Sequence, residues 1–221
     1  MKKAVVLLSG GLDSTTCLSV AIKDGYEAYP LSFDYSQRHK KELDCARKIS
    51  EYYNIKNHKV IKIDNVGGSA LTDMAIDVPE YKGTSDIPVT YVPARNIMFL
   101  SYAAGYAEVV GAEAIYIGVN AIDYSGYPDC RPEFISAFQE MIRVGTKSGV
   151  EGNPLKIITP LLKLSKAEII KLANDSKAPL ELTTSCYKGG DKACGICDSC
   201  ILRLKGFAEA GLKDPIEYQN R

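Results

Sequence analysis

The stretch Ala4-Val5-Val6-Leu7-Leu8-Ser9-Gly10-Gly11-Leu12-Asp13-Ser14-Thr15-Thr16-Cys17-Leu18 decides how the rest of the chain is read. Its five leading apolar residues run straight into Ser9-Gly10-Gly11-Leu12-Asp13-Ser14. Beyond the turn Cys17, Leu18, Ala21 and Ile22 recur at helical spacing, so the stretch predicts strand, tight turn and helix. The first N–H groups of a helix have no partner inside it, and the aligned peptide dipoles add partial positive charge there, which makes such a turn an anion site. The two glycines let the backbone approach a phosphate. Ser9 and Ser14 can add hydroxyl donors, and Asp13 can cap the helix or hold a Mg²⁺ that bridges phosphate oxygens. A glycine-rich turn whose Ser and Asp do no more than cap a helix is the other reading of the same residues.

Working outward, 221 residues suit one domain with room for a small appendage, and 46% hydrophobic residues are enough for a sizeable core. Lys plus Arg and Asp plus Glu are equal at 27 each, so the basic footprint of a nucleic-acid-binding domain is absent and no nucleic-acid partner is expected. Lys2-Lys3 before the apolar run superficially suggests a signal peptide, but the run is too short and breaks at Ser9-Gly10-Gly11. No other segment approaches a membrane span, and a cytoplasmic location is expected. Seven cysteines without an export signal point to a reducing compartment, where clustered thiols more often bind metal than pair.

After the first helix, residues 27–35 predict a second strand, weakened by Pro30, and Gln37-Arg38-His39-Lys40 opens a helix carrying Leu43, Ala46, Ile49 and Tyr53. A third strand over 57–63 completes a β-α-β-α-β order, the pattern of a parallel sheet with crossover helices. Residues 64–92 lack periodicity and form a long loop of the functional or mobile kind. Pro93-Ala94-Arg95-Asn96 precedes a helix with Ile97, Leu100, Ala103, Ala104 and Ala107. The fourth strand, 114–119, ends in a polar run from Asn120 to Arg131 that should face the same crevice as the Ser9 turn, since ligands of open α/β sheets bind beyond the carboxyl ends of strands. Phe134, Phe138, Met141 and Ile142 mark another helix, and 155–159 a short fifth strand. Ser165-Lys166-Ala167-Glu168 is a capping box that places Lys163 and Lys166 at a helix entrance beside a strand end. A last helix carries Leu202, Phe207 and Ala210 and stops at Gly211. No internal repeat, low-complexity tract or linker interrupts this order. The fold class is thus α/β: a doubly wound open parallel sheet of about five strands with helices on both faces.

Cys186, Cys194, Cys197 and Cys200 follow the spacing C-x7-C-x2-C-x2-C. Four sulfurs this close match a tetrahedral Zn²⁺ with no open position for water, hence a structural metal; an iron–sulfur cluster uses similar ligands, and zinc is the favoured reading. Cys17 and Cys45 fit helical core positions. Cys130 sits in the polar loop with no histidine nearby in sequence to activate it as a nucleophile. His58 reads as a surface or packing residue, while His39, beside Arg38 at a strand end, either touches phosphates or is simply solvated.

The turn lacks the Gly-Lys pair of a Walker A loop and the G-x-G-x-x-G of a dinucleotide site. Its S-G-G-x-D-S resembles the pyrophosphate (PP) loop of the N-type ATP pyrophosphatases, which split ATP into AMP and pyrophosphate while activating a substrate as an adenylate. That superfamily includes NAD, GMP, argininosuccinate and asparagine synthetases and tRNA thiolation and lysidine enzymes. Phe33-Asp34-Tyr35-Ser36-Gln37-Arg38-His39, Asp123-Tyr124-Ser125-Gly126-Tyr127-Pro128-Asp129-Cys130-Arg131, and Ser185-Cys186-Tyr187 with Cys194-Gly195-Ile196-Cys197-Asp198-Ser199-Cys200 narrow the choice. These runs resemble the 7-cyano-7-deazaguanine (preQ0) synthases of queuosine precursor biosynthesis. Pro93-Ala94-Arg95-Asn96 fits as well, with alanine at 94 where that family often has glycine.

The resemblance implies an adenine nucleotide alpha hydrolase-like fold, one PP-loop ATPase domain over 1–221 with a zinc-binding and helical appendage at 180–221, and a homodimer. It implies a ligase that turns 7-carboxy-7-deazaguanine and ammonia into the nitrile, with ATP, Mg²⁺ and one structural Zn²⁺ per chain. Positions Leu8 to Leu18 would bind ATP; Asp13 would hold Mg²⁺; Arg38, Arg95 and Lys163 would neutralise phosphate charge. Tyr124, Tyr127, Asp129 and Arg131 would face the flat base, the tyrosines by stacking and Asp129 by accepting N–H donors from its guanine-like edge. Core packing is the alternative role for those tyrosines. A tRNA-modifying thiolase, or a non-catalytic zinc-stabilised binding module, would fit parts of the same pattern.

Overall fold

Val5 and Leu7 lie on one face of the first strand and Ala4, Val6 and Leu8 on the other, and all five are buried. A strand apolar on both sides must be covered on both sides, which is what a parallel sheet with crossover helices achieves. The computed structural model, which describes residues 1–37, 41–64, 67–73, 75–78, 87–120 and 126–219, has five parallel strands. They are β1 (Lys3–Leu7), β2 (Glu27–Asp34), β3 (Lys59–Lys62), β4 (Ala114–Tyr116) and β5 (Lys156–Ile158), in the order β3-β2-β1-β4-β5. The chain steps outward from β1 to β2 and β3, then returns to the far side of β1 for β4 and β5. The direction therefore switches between β1 and β4, where open sheets bind ligands.

The helices are α1 (Leu12–Lys23), α2 (Lys41–Tyr52), α3 (Arg95–Val110), α4 (Pro132–Gly145), the short α5 (Lys147–Val150), α6 (Lys166–Asp175) and α7 (Asp198–Ala210). On one face Leu18, Ile49, Ile169, Ile170 and Phe207, from α1, α2, α6 and α7, pack with Ala4, Val6 and Leu8. On the other Leu100 and Ala103 of α3 and Phe138 and Ile142 of α4 pack with Val5 and Leu7. The doubly wound architecture is as expected. β4 ends at Tyr116, short of the expected 119: Ile117 N still donates to Ile158 O at 3.1 Å, but Ile117 and Val119 lie beyond the strand and line a cavity. Among the described residues, no helix is long and apolar enough to cross a membrane.

Proline is tolerated mainly at strand ends and edges, yet Pro30 lies inside β2, an interior strand. The hydrogen bonds explain it. Glu27 N donates to Lys2 O and Leu8 N donates to Leu31 O, so the odd-numbered residues of β2 address β1 and the even-numbered ones address β3. Pro30 therefore turns its missing donor toward β3, whose pairing with β2 starts one residue later, at Leu31 and Lys59.

The capping box closes as expected: Ser165 Oγ accepts from Glu168 N at 3.3 Å, and Glu168 Oε2 accepts from Ser165 N at 2.8 Å. Cys17 and Cys45 are core residues. His58 is a packing residue that braces the end of β1. Ser32 Oγ donates to the Leu8 carbonyl and so has no hydrogen left for the ring; His58 Nε2, 2.7 Å from that hydroxyl, must be the donor to it.

Candidate active site

Beyond the carboxyl ends of β1 and β4 lies a cavity of about 260 Å³. The turn after β1 forms its floor. Gly11 is the N-cap of α1, and two hydroxyls hold the turn: Ser14 Oγ donates to Gly11 O at 3.1 Å, and Ser9 Oγ, 3.0 Å from Ser14 Oγ, accepts from Gly11 N at 3.3 Å. Leu8, Ser9, Gly11, Leu12, Asp13 and Ser14 reach the cavity. The other members of the stretch support it from behind. Thr15 and Thr16 hydroxyls bond back to the Gly11 and Leu12 carbonyls at 2.7 and 2.8 Å, and Cys17 and Leu18 sit in the core. Gly10 packs against α2 so closely that a Cβ there would lie 2.9 Å from Ala46 N and nearer still to the Glu42 carbonyl.

Asp13 makes no helix cap. Both its carboxylate oxygens accept from Lys166 Nζ at 2.9 Å, and the Lys166 side chain is only 9% exposed. Lys166, on the first turn of α6, thus takes the place expected of Lys163, which is exposed and outside the cavity lining. Gly206 of α7 makes room for it: a Cβ at Gly206 would fall 2.4 Å from Lys166 Cγ.

Arg95 opens α3 and lines the cavity. Burial alone would lower its pKa, but Tyr35, Tyr127 and Asp129, with a hydrogen bond from the guanidinium to Tyr35, outweigh that and raise it, so its charge is secure. Opposite, Glu42 on the first turn of α2 has its pKa pushed up to about 7, because burial disfavours the carboxylate more than Arg95 stabilises it. One side of the cavity is aromatic, with Phe33 stacked on Phe99 at a ring separation of 4.0 Å and 3° between planes.

Of the residues expected to face a base, Tyr127 lines the cavity, its hydroxyl 2.8 Å from Thr90 Oγ1. Asp129 does not line it. Its Oδ2 accepts from Asn96 N at 2.9 Å while the Asn96 side chain donates to the Asp129 carbonyl at 3.1 Å, so this acid caps α3 from a distance. That correction has a physical cause: the local N-cap, Ala94, has no side-chain acceptor to offer. Arg131 is exposed and also lies outside the lining. Arg38, His39 and Tyr124 fall outside the described residues. Cys130 lines the cavity, but burial and then Asp129 push its thiol up to about 12, so it stays protonated and is no nucleophile.

The segment after α6 closes the cavity. Thr184 N donates to Gly10 O at 3.0 Å, and Ser185, Cys186 and Tyr187 continue the wall. Cys186, Cys194, Cys197 and Cys200 bring their sulfurs within 4.8 Å of one another, close enough to hold a metal ion. The donor set fits one: backbone N–H groups of Cys194, Ile196 and Cys197 point at sulfurs at 3.3–3.5 Å, as they would toward thiolates, and Ala193, Tyr218 and Leu204 pack around the cluster. Lys41 Nζ ties this knot to α2 by donating to the Gly190 and Asp191 carbonyls, the latter at 2.7 Å.

The comparisons with known proteins agree with this arrangement. A family model described as queuosine biosynthesis protein QueC matches residues 3–211. A 7-cyano-7-deazaguanine synthase of Acetivibrio thermocellus is 73% identical over 221 residues, covering all of both chains. One from Nostoc punctiforme is 58% identical, covering 98% of this chain and 99% of its own. Among solved structures, NMN synthetase from Francisella tularensis aligns with a TM-score of 0.51 at 17% identity over 96% of this chain and 78% of that one. A 4-thiouridine synthetase in an RNA complex with bound ATP aligns with a TM-score of 0.51 at 20% identity over 98% of this chain and 47% of that one, and both structures share the fold. With the family model spanning nearly the whole chain and relatives this similar along their full length, the chain belongs to the queuosine biosynthesis protein QueC family of enzymes.

Proposed function

We propose that the protein is an ATP-dependent ligase that converts 7-carboxy-7-deazaguanine and ammonia into 7-cyano-7-deazaguanine through adenylated intermediates, as a cytoplasmic homodimer. The observation that carries the reading is the cavity itself: an S-G-G-x-D-S turn at the β1–β4 switch point, with Lys166 and Arg95 converging on it beside an aromatic wall. A carboxylate is a poor electrophile, so its oxygen first attacks the ATP α-phosphate, and pyrophosphate leaves into the turn. Ammonia then displaces AMP to give an amide, which a second ATP activates for loss of water to the nitrile. Such steps need positioning and charge stabilisation more than an enzyme nucleophile. The helix N-terminus with Ser9 and Ser14 receives the phosphates, and Arg95 neutralises their charge, helped by Arg38. Asp13 would hold Mg²⁺, which would supply charge stabilisation to the phosphates, and Lys166 would exchange Asp13 for the triphosphate. Tyr127 and the Phe33–Phe99 pair offer stacking faces to a heterocycle. The exposed Tyr102 and Val109, on one face of α3, form the apolar surface a second copy would cover.

Residues 1–221 would act as one PP-loop ATPase domain whose appendage, 180–221, carries the metal. The test is mass spectrometry of products from purified protein, ATP, ammonium and the carboxy-deazaguanine: AMP, pyrophosphate and the nitrile are expected. Asp13→Ala should abolish AMP formation while the circular dichroism stays native; turnover at the normal rate by that variant would remove Asp13 from the site.

The metal is zinc, held by Cys186, Cys194, Cys197 and Cys200, and it contributes folding energy rather than chemistry. Elemental analysis should give one zinc per chain. Cys197→Ser should lower the melting temperature, since binding energy at a closed site is folding energy. Iron with sulfide in the purified protein, or no metal, would overturn this assignment.

A further inference from the structure

We propose that Glu42 is the proton acceptor for the nitrogen nucleophile, taking protons from it as it is joined to the activated carboxyl group; this rests on the ligase reaction proposed above. The nitrogen enters as ammonium and leaves as a nitrile, so every proton it carries must go. One leaves to expose the lone pair, and one as the tetrahedral adduct collapses, breaking the C–O bond to AMP and leaving an amide. Two more leave as the adenylated amide expels AMP and the C≡N bond forms. Each step transfers a proton from nitrogen to a base and needs no oxidant, reductant or further co-reactant.

Few groups in the cavity can serve. Its lining, among the described residues, holds two carboxylates, Asp13 and Glu42. Asp13 is occupied on both oxygens by Lys166, and once Lys166 turns to the triphosphate Asp13 would hold Mg²⁺. Lys41, Arg95, Lys166 and Arg203 are cations in the same wall, and the Cys130 thiol holds its proton. Glu42 remains. Arg95 faces it from α3 and Tyr35 from the end of β2, while Cys45 and Lys41 flank it on α2 itself. Arg95 acts on it through space, and among the described residues nothing donates a hydrogen bond to its carboxylate. A carboxyl group titrating at about 7 suits the work: a substantial share is unprotonated at neutral pH, and it is basic enough to accept a proton in the transition state. Half-buried at the cavity wall, it can then pass the proton to solvent.

The test separates adenylation from nitrogen transfer in wild-type protein and Glu42→Gln, which keeps the side chain's size. Adenylation is read as exchange of labelled pyrophosphate into ATP with the carboxy-deazaguanine and no ammonia. Capture of the adenylate by hydroxylamine, a weakly basic amine already unprotonated at neutral pH, is a second readout. Both should stay within a few-fold of wild type, whereas nitrile formation from ammonium falls roughly a hundredfold or more, the usual weight of a general base. The wild-type to variant ratio should rise with pH through about 7, as Glu42 loses its own proton; taking the ratio at each pH cancels the supply of free ammonia. Glu42→Asp should restore part of the loss. Nitrile formation at the wild-type rate in Glu42→Gln, or exchange falling as far as nitrile formation, overturns the proposal, the second result placing Glu42 with the nucleotide. Wild-type protein that shows no carboxylate-dependent exchange overturns the ligase reading itself, and Glu42's role with it, before any variant is compared.

Discussion

Alanine in place of Gly10 should remove AMP formation almost entirely and destabilise the protein as well. Gly10 holds φ at +88°, a conformation that costs an L-residue about 1–2 kcal/mol. The added Cβ would also sit 2.2 Å from the Glu42 carbonyl oxygen, 2.9 Å from Ala46 N and 3.0 Å from Cys45 Cβ. Two of those atoms are helix backbone and cannot swing aside like the end of a flexible side chain. Overpacking of this kind costs about 1–3 kcal/mol. Either α2 or the turn must shift, and a displacement near 1 Å in a positioning element costs on the order of 10²-fold in rate. Because the turn also bonds to Thr184 through its Gly10 carbonyl, the wall of the cavity moves with it. Steady-state AMP release and a melting curve measure the two parts separately. A Gly10→Ala protein with wild-type kinetics would mean that the turn does not set the phosphate geometry.

Arg203→Ala should be the most destabilising single change in the C-terminal segment. The guanidinium is 2% exposed and uses every donor: Nε and Nη2 bond to the Asp214 carboxylate at 2.8 and 2.9 Å, Nη1 to Thr183 and Ser185 hydroxyls at 2.8 and 3.2 Å, and Nη2 also to the Leu180 carbonyl at 3.3 Å. Truncation leaves Asp214 buried, at 5% side-chain exposure, with Tyr218 Oη as its remaining side-chain donor. Removing one partner of a buried pair costs about 3–5 kcal/mol, and a domain of this size loses roughly 2–4 °C of melting temperature per kcal/mol. Lysine should rescue little, since it cannot reproduce the planar fork. Thermal melts of Arg203→Ala and Arg203→Lys test this. A shift of under about 2 °C for the alanine variant would show that solvent or rearrangement compensates.

The anion turn and the sheet were legible because their signals are local: an apolar run that must be buried on both faces, then glycines and small polar residues at a helix start. The cysteine knot was legible for the same reason, its ligands lying close in sequence. What sequence could not rank was direction. Lys163 and Lys166 stand three positions apart at one helix entrance, and only the close seat at Gly206, on a helix brought there by tertiary packing, decides that Lys166 turns inward. Asp129 looked like a ligand because an acid in a polar loop beside a strand end usually has something to bind. Its ligand is the start of α3. The clue was available: Ala94 precedes Arg95-Asn96 where a helix start normally carries Ser, Thr, Asp or Asn, so an acceptor had to come from elsewhere. Ala94 also has φ at +55°, a conformation that glycine adopts more readily than alanine. Glu42 left no such trace, since an acid in the first turn of a helix is ordinary on dipole grounds alone.

The bond from Thr184 to Gly10 joins segments far apart in sequence. Synthesis passes the turn and all five strands by Ile158, while Lys166 and the Thr184-to-Tyr187 side of the cavity wall are still to come. A chain that ends short of residue 184 can thus carry all five strands and yet lack one side of the cavity wall. A deletion after α7 would remove Asp214 and Tyr218 and strand the buried Arg203 charge, so it should lower the melting temperature as well as catalysis.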